Sequence, residues 1–355
     1  MEHTAIIGVS KFKNMGATCY LNSILHILQE IPDFQEFMIN NTFKMNNKPI
    51  YESLHKLFKL SSQNDDKIII PTSFKKSIGQ KSDIWDGYEQ QDSQEFFSFI
   101  ISSLEEEIGE KSEYIPGLNI NFKHSNNNIM PLGDILHNII ANKSLLSYQL
   151  REYSPLSEMF NGSTINKKTC SMCRNVQYVY EPFITLPLTI PLKYNKDEYT
   201  LYDCLNNMIE VERLTSDNKL TCNLCGIKNK FYSETMLWKT PNILALQLKR
   251  FVNNDTPQGI INHKINNNVS YPLILDMENY FDKNSVQVKS SKYHLVGVNI
   301  HLSSGKNINF GHYISFVKNK LNKSWYIYND ENPIRPISEE NINHNNAYML
   351  FYIRE

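Results

Sequence analysis

Six cysteines and ten histidines in 355 residues are the natural candidates for reactive or metal-binding chemistry, and the spacing of the cysteines is the more informative. Four of them form two C-x-x-C pairs, Cys170 with Cys173 and Cys222 with Cys225. Together they offer four soft thiolates to one tetrahedral zinc ion, and a set of four leaves no open position for water, which makes such a site structural rather than catalytic. Thioredoxin-like redox chemistry is the competing reading of a single C-x-x-C, but two pairs without a βαβ pattern disfavour it. A zinc ribbon can also bind nucleic acid; here Lys167, Lys168, Lys228 and Lys230 make only a modest patch, better suited to solubility. Cys204, in LYDCLNNMI, has no partner left and reads as a packed core thiol.

Cys19 stands apart. It opens a stretch in which Leu21, Ile24, Leu25 and Leu28 have helical spacing, with Thr18 available as N-cap. A thiol becomes a good nucleophile as the thiolate, and a helix N-terminus favours negative charge. The plainer alternative is a small buried apolar residue, the commoner fate of a lone cysteine, and spacing alone does not choose between them. A second helix is expected over DSQEFFSFIISSLEEEI, with Asp92 and Ser93 as capping residues and Phe96, Phe99, Ile100 and Leu104 on one side.

The elements that must position these groups change character along the chain. From Thr169 the pattern becomes short β-type runs such as VQYVYEPFITLPLTI, where Pro182, Pro187 and Pro191 limit strand pairing. The last third holds ILALQLKRFV, YHLVGVNIHL, GHYISFV, SWYIYND and AYMLFYI, rich in β-branched and aromatic residues, which predict an antiparallel sheet. Leu244, Leu246 and Leu248 alternate as a half-buried strand should. Residues 109–130 are polar and Asn-rich, a loop rather than core. A composition of 41% hydrophobic and 21% charged residues is that of a globular protein, and a formal net charge of -1 removes the basic excess of a nucleic-acid or lipid-surface binder. The N-terminus lacks a signal-peptide core and no stretch approaches the roughly 20 apolar residues of a membrane span, so an intracellular protein of cytoplasm or nucleus is expected, with reduced thiols.

The string NMGATCYLNSILHIL, from Asn14 to Leu28, resembles the cysteine box of the ubiquitin-specific proteases. YHLVGVNIHLSSG, FGHYISFV and WYIYND are similar to that family's histidine box, and Gln90-Gln91-Asp92-Ser93-Gln94-Glu95-Phe96 to its glutamine and aspartate box. The resemblance runs from about Lys11 to the C-terminus, apart from residues 110–132. It implies Cys19 as nucleophile, His312 as general base and Asn14 as a side-chain donor to the oxyanion. A histidine on a β-rich segment is by itself more often structural.

The family's usual aspartate is replaced by Asn329, whose amide oxygen can still accept from an imidazole. Asp330 then matches a second acidic position that assists His312 or the oxyanion site. Asp92, Gln94 and Glu95 would hold ubiquitin's arginine-bearing tail, since charged hydrogen bonds to guanidinium are strong and directional; a capped helix start explains Asp92 and Glu95 equally well. Tyr313 would line the channel for the terminal glycines, and Phe310, where the family often has glycine, would stiffen or narrow the loop beside it. His301 matches a histidine near the ubiquitin-covering loop and is given no catalytic role.

The implied fold is α+β, a papain-like hand: helical thumb over 11–150, zinc-tipped fingers over 151–240 and β-rich palm over 241–355. The implied activity is hydrolysis after the C-terminal glycine of ubiquitin, with a structural Zn2+ and with ubiquitin, ubiquitinated proteins and adaptor proteins as partners. A ubiquitin-binding pseudoprotease, or a protease for a ubiquitin-like modifier, are the alternatives.

Overall fold

The computed structural model describes residues 10–41, 47–63, 67–109, 154–256, 259–285, 290–303 and 311–355. The polar loop expected after residue 109 and Phe310 lie outside them.

The N-terminal helices are α1 (Cys19–Glu30), α2 (Pro32–Asn40), α3 (Pro49–Ser61), α4 (Thr72–Lys81) and α5 (Ser93–Ile108). Apolar spacing predicts one buried face for α1, but all twelve of its residues are buried. The reason is its place between the other helices and a sheet, with most of its buried polar side chains hydrogen-bonded. His26 Nδ1 lies 3.2 Å from Gln29 Nε2, its ring between Phe12 and Tyr328 at 4.7 and 4.6 Å. Glu30 meets Lys320 Nζ at 3.2 Å. Burial lowers the pKa of His26 to about 3, so it is a neutral core histidine. In α5, Phe97 and Ile101 join Phe96, Ile100 and Leu104 in the core while Phe99 is only partly buried, a wider apolar face than expected.

A short helix α6 (Pro155–Phe160) leads into β1 (Gly162–Cys170), β2 (Val176–Phe183) and β3 (Thr185–Thr189). Helix α7 (Leu201–Ile209), β4 (Glu212–Leu214), β5 (Phe231–Lys239) and β6 (Ile243–Lys249) follow. The C-terminal strands are β7 (Ile274–Asp276), β8 (Lys292–Leu302), β9 (His312–Lys318), β10 (Trp325–Tyr328), β11 (Arg335–Ile337) and β12 (Ala347–Arg354).

Four strands form one sheet in the order β2-β1-β5-β4. Eight form the large sheet, β11-β10-β9-β8-β12-β6-β3, with β7 paired to β8. All its pairs are antiparallel except β3 with β6. The prolines do not prevent pairing: Pro182 and Pro187 sit opposite Ser163 and Gln247. Both are on terminal strands of their sheets, where a missing N–H costs least.

The large sheet is buried on both faces. Ile243 and Ala245 of β6 face the core shared with the helices, while Leu244, Leu246 and Leu248 face a second core containing Leu201, Cys204 and Leu205 of α7. The expected half-buried strand is thus buried on both faces over Ile243–Leu246, with Gln247 half-buried and Lys249 exposed, and each of those leucines contributes about 1.5–3 kcal/mol. Cys204 is a core thiol, its pKa raised to about 12 by burial. Gly297 lets α1 approach β8: a Cβ there would stand 2.7 Å from Ile27 Cγ2.

Candidate active site

The loop preceding α1 is organised by Asn14. Its Oδ1 accepts from Gly16 N at 3.1 Å, Thr18 N at 3.1 Å and Thr18 Oγ1 at 3.3 Å. With the amide oxygen held by the loop, Nδ2 donates to Asp330 Oδ2 at 2.8 Å. Thr18 occupies the N-cap position but does not cap. Its φ and ψ of -93° and 15° lie outside the extended region capping requires, and its hydroxyl accepts from Met15 N at 3.0 Å instead. Gly16 has a φ of +136°, and a Cβ there would lie 3.0 Å from Tyr88 Cβ.

Across from this loop, His312 is the first residue of β9. Its pKa is raised to about 9, chiefly by the neighbouring Cys19 side chain, against the lowering effect of burial, with Asn329 and then Asp330 adding to it. Nε2 lies 2.7 Å from Asn329 Oδ1 and 3.8 Å from Asp330 Oδ2. Asn329 is therefore the direct partner of the imidazole. Asp330 is 6% exposed, adopts a left-handed φ of +48°, and is clamped by two amides: Asn14 on Oδ2 and Asn22 Nδ2 on Oδ1 at 2.7 Å. Burial raises the Asp330 pKa, while the bonds from Asn22 and Asn14 and the nearby His312 oppose that. Cys19, His312, Asn329, Asp330 and Asn14 thus converge where the start of α1 meets the large sheet.

The other candidate residues lie around this centre. Asp92 caps α5, its Oδ1 accepting from Gln94 N at 2.6 Å and Glu95 N at 3.2 Å, and its Oδ2 accepts from Tyr348 OH at 2.6 Å. Burial raises its pKa. Gln94 is half-buried and donates to Ser98 Oγ at 2.9 Å, whereas Glu95 is exposed. Tyr313 is buried with its ring 4.6 Å from that of His301.

The remaining cysteines make a second cluster. The Sγ atoms of Cys170, Cys173, Cys222 and Cys225 all lie within 4.8 Å of one another, with Cys173 and Cys222 at 3.6 Å. A tetrahedron with metal–sulfur bonds of about 2.3 Å has edges of about 3.8 Å, so the four thiols have the dimensions to hold a metal ion. The two turns are built alike. Arg174 N donates to Cys170 O and Gly226 N to Cys222 O, with left-handed φ values of 63° and 70°.

Comparison with known proteins supplies the identity. Residues 10–352 match the family described as Ubiquitin carboxyl-terminal hydrolase. The chain belongs to that family. The Ubiquitin carboxyl-terminal hydrolase 2 of Gallus gallus is 30% identical over 97% of this chain and 93% of its own. The Homo sapiens protein of that name is 28% identical over 99% of this chain and 56% of its own, so this chain spans little more than half the length of that relative. A solved structure of the SAGA Ubp8/Sgf11/Sus1/Sgf73 DUB module bound to ubiquitin aldehyde superposes with a TM-score of 0.71 at 25% identity, over 100% of this chain and 71% of that one. The α+β fold is thus that of the ubiquitin-specific proteases, as the cysteine box implies.

Within this member of the family, sequence reasoning misses the supports of the site. Asn22 is one; Glu331, whose Oε2 accepts from Asn14 N at 2.8 Å, is another. A third is a buried chain in which Ser93 Oγ donates to Asn299 Oδ1 and Asn299 Nδ2 donates to Ser23 Oγ, both at 2.8 Å, tying α5, β8 and α1 together. The available signal was polar residues inside apolar runs, since a buried polar group is stable only when paired.

Proposed function

We propose that this chain is a deubiquitinase that hydrolyses isopeptide and peptide bonds after the C-terminal glycine of ubiquitin. The observation that carries this is His312, 2.7 Å from Asn329 and held protonated chiefly by the neighbouring Cys19 side chain, in a chain of this family. His312 takes the Cys19 thiol proton and the sulfur adds to the glycine carbonyl carbon. Asn14, one Nδ2 hydrogen of which is taken by Asp330, donates its other to the resulting oxyanion, an interaction worth a few kcal/mol in such sites. The C–N bond then breaks, His312 gives its proton to the departing lysine amine, and a thioester remains. Water attacks the thioester carbon, losing a proton to His312, and C–S cleavage frees ubiquitin's carboxylate and the thiol. Asn329 keeps the imidazole oriented, with Asp330 behind it holding Asn14.

Asp92, Gln94 and Glu95 are assigned to ubiquitin's tail and Tyr313 to the channel of its terminal glycines. In the relation of site to chain, 11–150 acts as thumb, 151–240 as fingers and 241–355 as palm. A zinc ion on Cys170, Cys173, Cys222 and Cys225 would fix the ends of β1 and the turn before β5, supplying structure and no reaction step. Adaptor proteins would select substrates, as the assembled SAGA DUB module suggests by likeness. Among the described residues no helix is long and apolar enough to cross a membrane; an intracellular site of action is part of this proposal.

Ubiquitin carrying an electrophilic C-terminus tests it. A covalent adduct mapped to Cys19, absent in Cys19→Ala, is expected. Folded, zinc-loaded protein that binds ubiquitin without forming the adduct would make the chain a pseudoprotease.

A further inference from the structure

Residues 85–92 run between α4 and α5 as an arm that touches both the loop before α1 and the start of β9. Its base is fastened. Lys75 of α4, 3% exposed, donates from Nζ to Gly87 O at 2.5 Å and to Trp85 O, and Gln91 Nε2 donates to Ile84 O at 3.2 Å. Its far end is fixed by the Asp92 cap and by Tyr348. A buried ammonium satisfied by two carbonyls of one loop holds that loop's shape, because freeing either carbonyl would leave a buried polar group unpaired.

From this arm two bonds extend. Tyr88 O accepts from Ala17 N at 3.1 Å, two residues before Cys19. Gln90 Oε1 accepts from Gly311 N at 2.9 Å, one residue before His312 and 221 positions away in the chain. Behind Gly311 there is no slack: a Cβ on it would lie 2.1 Å from His301 Nε2. The start of β9 is thus gripped between the His301 ring and the Gln90 amide.

We infer that Gln90 is a positioning residue: through the arm it ties the strand carrying His312 to the loop leading into Cys19 and so sets the separation of base and nucleophile. This rests on the roles given to Cys19 and His312 above. Gln90 touches neither reacting group, and its side chain is exposed, so its contribution is alignment rather than core stability.

Two readouts separate this from a tail-binding or a purely structural role. The first is steady-state cleavage of a fluorogenic ubiquitin C-terminal amide. Gln90→Ala is expected to lower kcat about three- to tenfold, the scale of one lost hydrogen bond, with KM changed less than about twofold. Gln90→Glu, which keeps an acceptor oxygen at the same reach, should recover most of kcat. The second is the pH dependence of Cys19 alkylation by iodoacetamide, followed by mass spectrometry of the Cys19 peptide. The groups facing the His312 ring are Cys19, Asn329, Asp330 and His301. In Gln90→Ala the alkylation profile should shift because the Cys19–His312 contact is loosened, with the melting temperature unchanged. Because alkylation needs no ubiquitin, it tests the bridge even in a protein that proves unable to cleave ubiquitin. Unchanged kcat and alkylation would overturn the inference; so would a loss confined to KM, which would put Gln90 on the substrate.

Discussion

Replacing Asn329 by alanine removes the acceptor 2.7 Å from His312 Nε2 and leaves Asp330 Oδ2 at 3.8 Å as the nearest carboxylate. A hydrogen bond to a charged partner contributes about 1.5–3 kcal/mol, which at 1.36 kcal/mol per decade is roughly 10- to 150-fold in rate. Asp330 continues to attract the imidazolium but is already clamped by Asn14 and Asn22, so it cannot swing in without breaking those bonds. Because the Asp330 charge still attracts the imidazolium from 3.8 Å, the lower part of the range is expected, a loss of about 10- to 30-fold in kcat/KM. Asn329 also helps to raise the His312 pKa, so the alkaline limb of the pH–rate profile should move down from about 9. Asn329→Asp should stay active, since a carboxylate accepts at the same point. The assay is cleavage of a fluorogenic ubiquitin amide across pH. An Asn329→Ala enzyme within twofold of the parent, with its alkaline limb unmoved, would refute this reasoning and give the orienting role to Asp330. Asp330→Asn would then be the informative partner, because an amide has one acceptor oxygen for the two amides that now share the carboxylate.

Chelation of the proposed zinc, or Cys222→Ser, should lower the melting temperature by about 3 °C or more, the shift that roughly 2 kcal/mol makes in a chain of 355 residues; an unchanged transition would exclude a structural ion. Gly311→Ala would drive a methyl into His301 Nε2, and overpacking of this kind costs about 1–3 kcal/mol, so reduced stability and activity are expected in thermal melts and cleavage assays, with partial relief by adding His301→Ala. Arg174 carries a φ of 63° where the matching residue of the other turn is Gly226; Arg174→Gly should therefore stabilise the cysteine cluster by up to about 1 kcal/mol, read by denaturation of the metal-loaded protein. The His312 pKa is raised from 6.5 to about 9, so the folded state holds this proton more tightly than the unfolded one. The stability it adds is full below pH 6.5 and lost as pH rises through about 9, which denaturation midpoints in His312→Gln, compared with the parent across pH 6–10, should show.

Much of the fold is legible because it follows from periodicity. Leu21, Ile24, Leu25 and Leu28 mark α1, and the aromatic and β-branched runs of the last third become β6, β8, β9, β10 and β12. The four-cysteine cluster is legible from spacing, since ligands for one ion must be close. What periodicity does not carry is pairing between distant segments. The parallel contact of β3 with β6 is one such case, and the burial of Asn22 and Asn299 is another, because both are satisfied by partners 308 and 206 positions away. Spacing also misjudged Thr18, whose type suits a cap but whose backbone is bent to let Asn14 gather the loop. Asn329 is a departure from the family pattern in sequence, and only geometry separates it from Asp330 as the partner of His312.

The complete burial of α1 has a consequence for how the protein is made. Its covering strands lie near the other end of the chain, and the contact of Asn22 with Asp330 spans 308 residues. At about 5–20 residues per second, a ribosome needs roughly 15–60 s to travel that distance. Throughout that interval the first helix has nothing to cover its sheet-facing side, and Cys19 has no imidazole beside it. The newborn chain is thus both sticky and inert, and a single late event, the arrival of β8 to β12 on α1, ends both conditions. A nonsense change that removes only the final strands would leave a helix in want of cover as well as a broken sheet, so loss of activity and aggregation should arrive together.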